Sequence, residues 1–505
     1  LKTAKRITLS AVAILTTAAI VFVCRAQEEL RTWTDSSGKY KIKAEFVEVD
    51  GDDVVLNKEE GGEARIPLSR LSKADQKWIS NLLNPQSAEV TANNVDKAQK
   101  ADTNAQFIST DWPRWRGVNN DAISVETGLL KSWPQDGPPL MWSTDGLGDG
   151  FSSVAIFEEK LYTMGRKDGQ TKLICRSLDG GAPIWETNVG EGDRPNCTPT
   201  VDPASKLVFG ISHAGDLLCA DAETGKEVWR KNFDRDFGGS MMSGWGYSES
   251  PLVDGDLLIC TPGSDKAVMA ALEKRTGKVV WTAPMEGGRA GYASPVISYG
   301  GGVKQYVTLV GKGLISVRAE NGEPLWHYPR IANGTANIPT PIVKDDYIFT
   351  SSGYNDGGTA LLRLKKSGSG VRFEEVYYLP NNKLQNHHGG MVLIGDYVYM
   401  GHGHNEGKPV CVELKTGKIV WGPVRGPGGN SAAVVAADGK LYFRYQDGQM
   451  GLIDANSQGY QLDGSFRIKT VHGESWAHPV ISNKRLYLRD QNDLHCYDIA
   501  AESAK

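Results

Sequence analysis

The sequence predicts an all-β chain: a ring of eight four-stranded blades, a β-propeller, preceded by a small separate β domain. Three observations predict it. First, residues 175–185, 219–229, 271–281, 316–326 and 411–421 superpose without gaps, each ending on a tryptophan. In each, a glycine stands four residues before that tryptophan, at Gly181, Gly225, Gly277, Gly322 and Gly417. Three of the five read Thr-Gly-Lys between alternating apolar stretches, the pattern of a hairpin turn that needs positive φ, which glycine adopts without strain. A fixed phase between turn, tryptophan and upstream strand marks a repeat.

The second observation counts the blades. A short Ser/Thr/Pro-rich approach segment runs into an apolar strand eight times, beginning at Ser152, Cys197, Ser248, Ala293, Ile338, His388, Ser431 and Trp476. The steps between them are 45, 51, 45, 45, 50, 43 and 45 residues, the span of a propeller blade. Blades five and seven lack the tryptophan and carry Tyr377 or Tyr378, and Phe466, near its place. The third observation is closure. The eighth segment leaves chain for only three strands, whereas Leu140-Met141-Trp142-Ser143 reads as an orphan strand ahead of the first blade. Pairing the two ends in one sheet leaves no bare strand edge.

The remaining elements follow in chain order. Lys2, Lys5 and Arg6, an apolar run from Ile7 to Val23 and then Cys24-Arg25-Ala26 form an export signal over residues 1–26, with small residues at −3 and −1 of a cut after Ala26. A retained run would be a membrane tether, and Cys24 a lipid attachment point, although Val23 stands where Gly, Ala or Ser usually precedes it. The chain therefore reads as exported: periplasmic or secreted, or anchored. Residues 27–83 form the front domain, with strands near 31–35, 41–49, 53–58 and 66–68, then a helix capped by Ser72 with Asp75 three residues on. Residues 84–110, rich in Ala, Asn, Gln and Thr without an apolar period, read as a flexible linker spanning roughly 30 Å. Residues 111–505 are the propeller, expected to be monomeric.

With 58 glycines, 40% hydrophobic residues and a formal net charge of −4, the chain has no basic surface interleaved with aromatics, and nucleic acid is excluded as a partner. Of the six cysteines beyond the signal, Cys175, Cys219, Cys411 and Cys496 share one repeat phase, where small buried hydrophobes belong. They are expected to be free core thiols.

In a propeller, the loops leading into the inner strands share one face with the loops between second and third strands. That mouth would gather Arg194, Asn196, Trp245, Tyr247, Tyr292 and Asn337 from the first five blades, and Asn386, His387, His388, Asn430, Glu474, Trp476 and His478 from the last three. Converging aromatic and polar groups are the usual form of a ligand site, although the same groups also tie loops together. His402 and His404 alternate in Gly401-His402-Gly403-His404, as paired metal ligands on a strand do, with His387 or His388 as a third. Histidines followed by Asn405-Glu406-Gly407 more often serve as hydrogen-bonded turn residues, so no metal is expected. No nucleophile elbow, phosphate loop or paired-carboxylate motif occurs, and no catalytic residue is assigned.

On the Gly-to-Trp repeat, together with Trp112-Pro113-Arg114-Trp115-Arg116-Gly117, Trp133-Pro134 and Gly137-Pro138-Pro139-Leu140, residues 111–500 resemble the PQQ-repeat propellers. That family includes quinoprotein alcohol dehydrogenases and the outer-membrane assembly lipoprotein, and the resemblance implies eight blades. The dehydrogenases hold PQQ with calcium beneath a disulfide of adjacent cysteines. This chain has no Cys-Cys pair, and its Glu, Asn and Asp residues match none of the family's ligand or base motifs, so no cofactor is assigned. Arg31-Thr32-Trp33, residues 56–58 and Leu71-Ser72-Lys73-Ala74-Asp75-Gln76 resemble the SH3-like homology domain of Sla-type adaptors, which implies a small barrel. The expectation is a non-catalytic binding or scaffold protein presenting a propeller face to a protein or small molecule. The alternative is a divergent PQQ-dependent oxidoreductase.

Overall fold

The computed structural model describes residues 30–50, 53–59, 61–73, 75–76, 79 and 110–501; the export signal and all of the linker except Thr110 lie outside them. The chain divides into two compact units, 1–101 and 102–505.

In the first unit, β1 (Arg31–Thr34), β2 (Lys41–Asp50), β3 (Asp53–Lys58) and β4 (Glu63–Pro67) form an antiparallel meander in sequence order. Alternation places Trp33, Ala44, Val54 and Leu56 in the core, and the Trp33 Nε1 donates to the Ala44 carbonyl at 3.0 Å. The last strand begins earlier than expected and ends at Pro67, because Leu68–Arg70 turns into a 3-10 segment. The capping pair forms as the sequence implies. Ser72 Oγ accepts the Asp75 amide at 3.2 Å and donates to its carboxylate at 2.8 Å. That buried carboxylate also accepts from the Thr34 amide at 2.9 Å and the Arg31 guanidinium at 2.5 Å, tying the helix to β1.

The second unit is the eight-bladed propeller. Its innermost strands are Ala155–Phe157, Thr200–Asp202, Leu252–Asp254, Val296–Ser298, Ile342–Lys344, Met391–Ile394, Ala432–Ala437 and Val480–Ser482, each opening a four-stranded antiparallel meander. Two segments upstream of the first blade join this ring. β5 (Ile123–Ser124) adds in parallel to the inner strand of blade seven. β6 (Leu140–Thr144) pairs antiparallel with Asp493–Asp498 and completes blade eight, so the closure expected from the sequence is observed.

The repeat motif is the joint between blades. Gly181, Gly225, Gly277, Gly322 and Gly417 all have φ near +70°, as the turn reading requires. Absence of a side chain has a second use: a Cβ on Gly225 would lie 2.5 Å from the Trp185 ring, and one on Gly277 2.7 Å from Trp229. Trp185, Trp229 and Trp281 each slide beneath the next blade's turn and donate the indole N–H to a carbonyl there, Ala222 at 3.2 Å, Lys274 at 2.9 Å and Ala319 at 3.2 Å, whereas the Trp326 indole N–H stays within its own sheet, on Gln305 Oε1 at 2.8 Å. In blade five Tyr377, rather than Tyr378, takes the place, its hydroxyl reaching the Leu414 carbonyl at 2.8 Å. Cys175, Cys219, Cys411 and Cys496 sit opposite the tryptophans of their own sheets, and Trp142 on β6 is the one facing Cys496. All six described cysteines are buried free thiols.

Candidate functional site

The Ser/Thr of the approach segments has a structural reason. Near the channel axis the backbone amides leading into the inner strands lie beyond their own sheets and need other acceptors. The next blade supplies them: the Ser153 amide donates to Thr198 Oγ1 at 3.2 Å, Thr198 to Ser250 Oγ at 3.0 Å, Ser250 to Ser294 Oγ at 2.9 Å and Ser294 to Thr340 Oγ1 at 3.3 Å. Ser153 Oγ, in turn, donates to the His478 carbonyl at 2.7 Å, joining blades one and eight. A girdle of hydroxyls thus lines the bore.

The channel does not run through. The lead-in from Trp112 crosses it, exchanging backbone hydrogen bonds with Ile156 in blade one at 3.0 and 2.8 Å, accepting from the Val201 amide in blade two at 2.8 Å, and meeting Ala436 in blade seven through the Ala122 carbonyl at 2.9 Å. Trp115 is left at the centre, its indole N–H on Thr340 Oγ1 at 3.2 Å and its ring edge-on to His478 at 4.5 Å. The mouth is therefore a cup whose floor is Trp115. Its volume is about 140 Å³, close to what one benzene-sized ring fills.

Of the residues expected at the mouth, Asn196, Trp245, Tyr292, His388, Trp476 and His478 line the cup. A short helix, Phe233–Phe237, lengthens the loop before blade three and carries Trp245 to the rim, where it is 50% exposed and edge-on to Trp476. Arg194 and Glu474 stand at the rim as a loose ion pair, 3.9 Å apart, with the guanidinium over Phe151. The other five do not line it. Tyr247 packs on Phe233 and donates to the Pro262 carbonyl at 2.9 Å. Asn337 and Asn386 are fully buried loop staples, donating to the Val310 and Gly401 carbonyls at 3.0 Å each. His387 lies behind His388, bonded to Ser431 Oγ at 2.5 Å, and Asn430 is an exposed turn residue with φ +63°.

His402 and His404 do not form a pair. The strand ends at His402, whose Nδ1 accepts from the Gln385 amide, and Gly403 turns the chain at φ +100° so that His404 packs at a tilt against His387 and Tyr354 instead. Among the described residues no group of three or more His, Cys, Asp or Glu side chains could hold a metal ion. Trp115, Phe151, Tyr354 and the hydroxyls of Ser250, Ser294 and Thr340 also line the cup, although none stands out as a site residue in the sequence. The hydroxyls could have been found, since they repeat at the approach segments.

Among the described residues no carboxylate, lysine or arginine lines the cup. His388 and His478 are held neutral there, burial pushing His388 well below the ordinary imidazole range and His478 down to about 3. The Trp476 indole N–H is buried without an acceptor. Beside the cup Glu249, 1% exposed, accepts the Thr261 amide at 2.6 Å and the Thr261 hydroxyl, and burial pushes its carboxyl up to about 7. A raised folded value means that its contribution to stability is complete below about pH 4.5 and is lost as pH rises through 7. The unfolding free energy of the wild type relative to Glu249→Gln is expected to fall by about 2–3 kcal/mol between pH 4.5 and 8 in urea titrations. Parallel pH profiles would show that Glu249 ionises normally.

Residues 170–422 match the family model described as outer membrane protein assembly factor BamB, and residues 25–86 match the SLA1 homology domain 1. The first match spans half of the chain, which belongs to that PQQ-repeat family, with an SH3-like domain of the SLA1 type in front. The curated assembly factor BamB of Burkholderia pseudomallei (strain K96243) is 30% identical over 118 residues, 22% of this chain and 27% of that protein. The chain thus aligns with about a quarter of that relative's length.

Among solved structures, BamB from Moraxella catarrhalis superposes with a TM-score of 0.52 at 16% identity, over 71% of this chain and 97% of that one. A europium-containing methanol dehydrogenase gives 0.56 at 13%, over 75% and 89%. The quinohemoprotein alcohol dehydrogenase from Comamonas testosteroni gives 0.53 at 13%, over 82% and 84%. At these identities the likeness is one of fold. The neighbours include both an assembly factor and dehydrogenases, so fold alone does not choose a function.

PQQ carries three carboxylates, and its calcium requires several oxygen ligands, carboxylates among them. Among the described residues the wall of the cup presents neutral rings, hydroxyls and neutral imidazoles, with neither a cation for the former nor a carboxylate for the latter; Arg194 and Glu474 at the rim pair with each other, and the thiols lie inside the blades. The residues present do not fit that group.

Proposed function

We propose that this chain is an exported, non-catalytic binding protein whose propeller mouth captures an uncharged, ring-bearing group projecting from a larger partner. One observation carries the reading: Trp115, Phe151, Trp245, Tyr292, Tyr354 and Trp476 surround a blind space the size of one ring, with no charged side chain among the described residues of its wall. Rings of this kind gain from burying a flat apolar group and from edge-to-face contact. The unsatisfied Trp476 N–H at the wall adds a requirement for a hydrogen-bond acceptor on the ligand. An aromatic side chain flanked by a peptide carbonyl meets both demands. Export is supported by the basic and apolar residues ahead of Gln27 and by kinship with the assembly factors; among the described residues no helix is long and apolar enough to cross a membrane.

The test is a tryptophan-fluorescence titration with short capped peptides bearing Phe, Tyr or Trp, against Ala-bearing peptides and neutral oligosaccharides. Saturable quenching by the aromatic peptides is expected. Trp476→Ala or Trp245→Ala should weaken it by about 2 kcal/mol, some thirtyfold in Kd, with the far-UV spectrum unchanged. Binding of oligosaccharide alone would move the ligand class to sugars; quenching that is linear for every probe would overturn the reading.

A further inference from the structure

Beneath Trp115 lies a second, smaller chamber, lined by Trp112, Trp115, Arg116, Ser153, Thr198 and His478, with room for about one water- or halide-sized occupant. Arg116 is 4% exposed, yet it makes one hydrogen bond, from Nε to the Asn120 carbonyl at 2.9 Å. Among the described residues its two terminal nitrogens, which carry most of the donors, have no hydrogen-bond partner, and no carboxylate lies within 4 Å. The charged or titratable groups acting on it are Asp121, beyond ion-pair distance, and His478, kept neutral by burial. An arginine desolvated this far is costly unless its donors are satisfied, and burial alone draws its affinity for the proton down to about 10.

The backbone around it is built to hold this placement. Arg116 adopts φ +63°, a conformation that a non-glycine residue rarely takes, locked by the hydrogen bond from the Ala122 amide to the Arg116 carbonyl at 2.8 Å. The wall adds a directed donor. Thr198 Oγ1 already accepts the Ser153 amide, which leaves its own proton to point at an occupant of the chamber. A guanidinium with free N–H groups, a hydroxyl donor and a space of one small sphere define the ligand chemistry.

We propose that this chamber binds one small monovalent inorganic anion of halide size, held by the Arg116 guanidinium and the Thr198 hydroxyl. The ion neutralises the charge buried in the bore and fixes the lead-in that carries Trp115. The site is separate from the ring-binding cup above it, which takes an uncharged group, and it stands whether or not that reading holds.

The test uses crystals of the protein soaked in bromide, with data collected at the bromine absorption edge, and thermal unfolding of the full chain in chloride against gluconate at equal ionic strength. An anomalous peak next to Arg116 is expected, together with a midpoint higher by about 2 °C or more in chloride. Arg116→Gln should abolish the chloride effect, and Thr198→Val, which keeps the shape and removes the donor, should weaken it. If Arg116→Gln does not fold, the bromide map and the Thr198→Val response decide. A chamber without an anomalous peak, or a chloride response identical in wild type and Thr198→Val, would overturn the proposal in favour of bound water.

Discussion

A chain shortened to begin at Gly146 is expected to lose on the order of 5 kcal/mol or more relative to one beginning at Thr110, and to aggregate on heating. The shortening removes β6, whose register with Asp493–Asp498 comprises four paired positions and brings Trp142 opposite Cys496. Each lost backbone bond is worth about 1 kcal/mol net, and the freed strand presents an open row of donors and acceptors to other chains. It also removes the lead-in across the bore and β5 on blade seven. Scanning calorimetry and light scattering on the two chains measure the effect. A third chain beginning at Pro139 restores β6 without the lead-in and separates the two contributions. Equal melting of the chains beginning at Thr110 and Gly146 would show that the ring does not depend on this strand.

Gly225→Val and Gly277→Val should each cost about 3 kcal/mol or more, read as a lower denaturant midpoint. Two effects add. A β-branched residue at φ +70° is strained by about 1–3 kcal/mol, and the new methyl groups meet an indole that cannot retreat because its N–H is tied to the same blade. Gly439→Val, also at φ +77° but with open space around its Cβ position, isolates the strain alone and should cost visibly less. Equal midpoints for all three variants and wild type would remove the turns from the account of stability.

The blade count, the closing strand, the five turn glycines and the Ser72–Asp75 cap were legible because each is written in neighbouring residues. Turn geometry and strand alternation are short-range properties, and repetition multiplies a weak local signal into a firm one. The site was legible only in part. Trp245, Trp476 and His478 line the cup, whereas Asn337 and Asn386, with the same loop positions and polarity, turn inward to staple backbone. His402 and His404 look like a pair in sequence, but the strand ends at the first and Gly403 swings the second away. Nothing in a local window tells a loop asparagine that faces a ligand from one that faces a carbonyl.

By itself, then, the sequence determined the repeat, its number and its hairpin turns, since those rest on φ preferences and apolar periodicity inside each 43–51-residue unit. Only the tertiary structure decided that the bore is plugged by the chain's own lead-in, that Trp115 becomes the floor of a neutral aromatic cup, and that Arg116 is left beneath it with unspent donors. The physical reason is ring closure. Residues from the lead-in and the last blades meet at the axis only when all eight sheets are in place, and burial there turns an ordinary arginine and ordinary loop aromatics into a site.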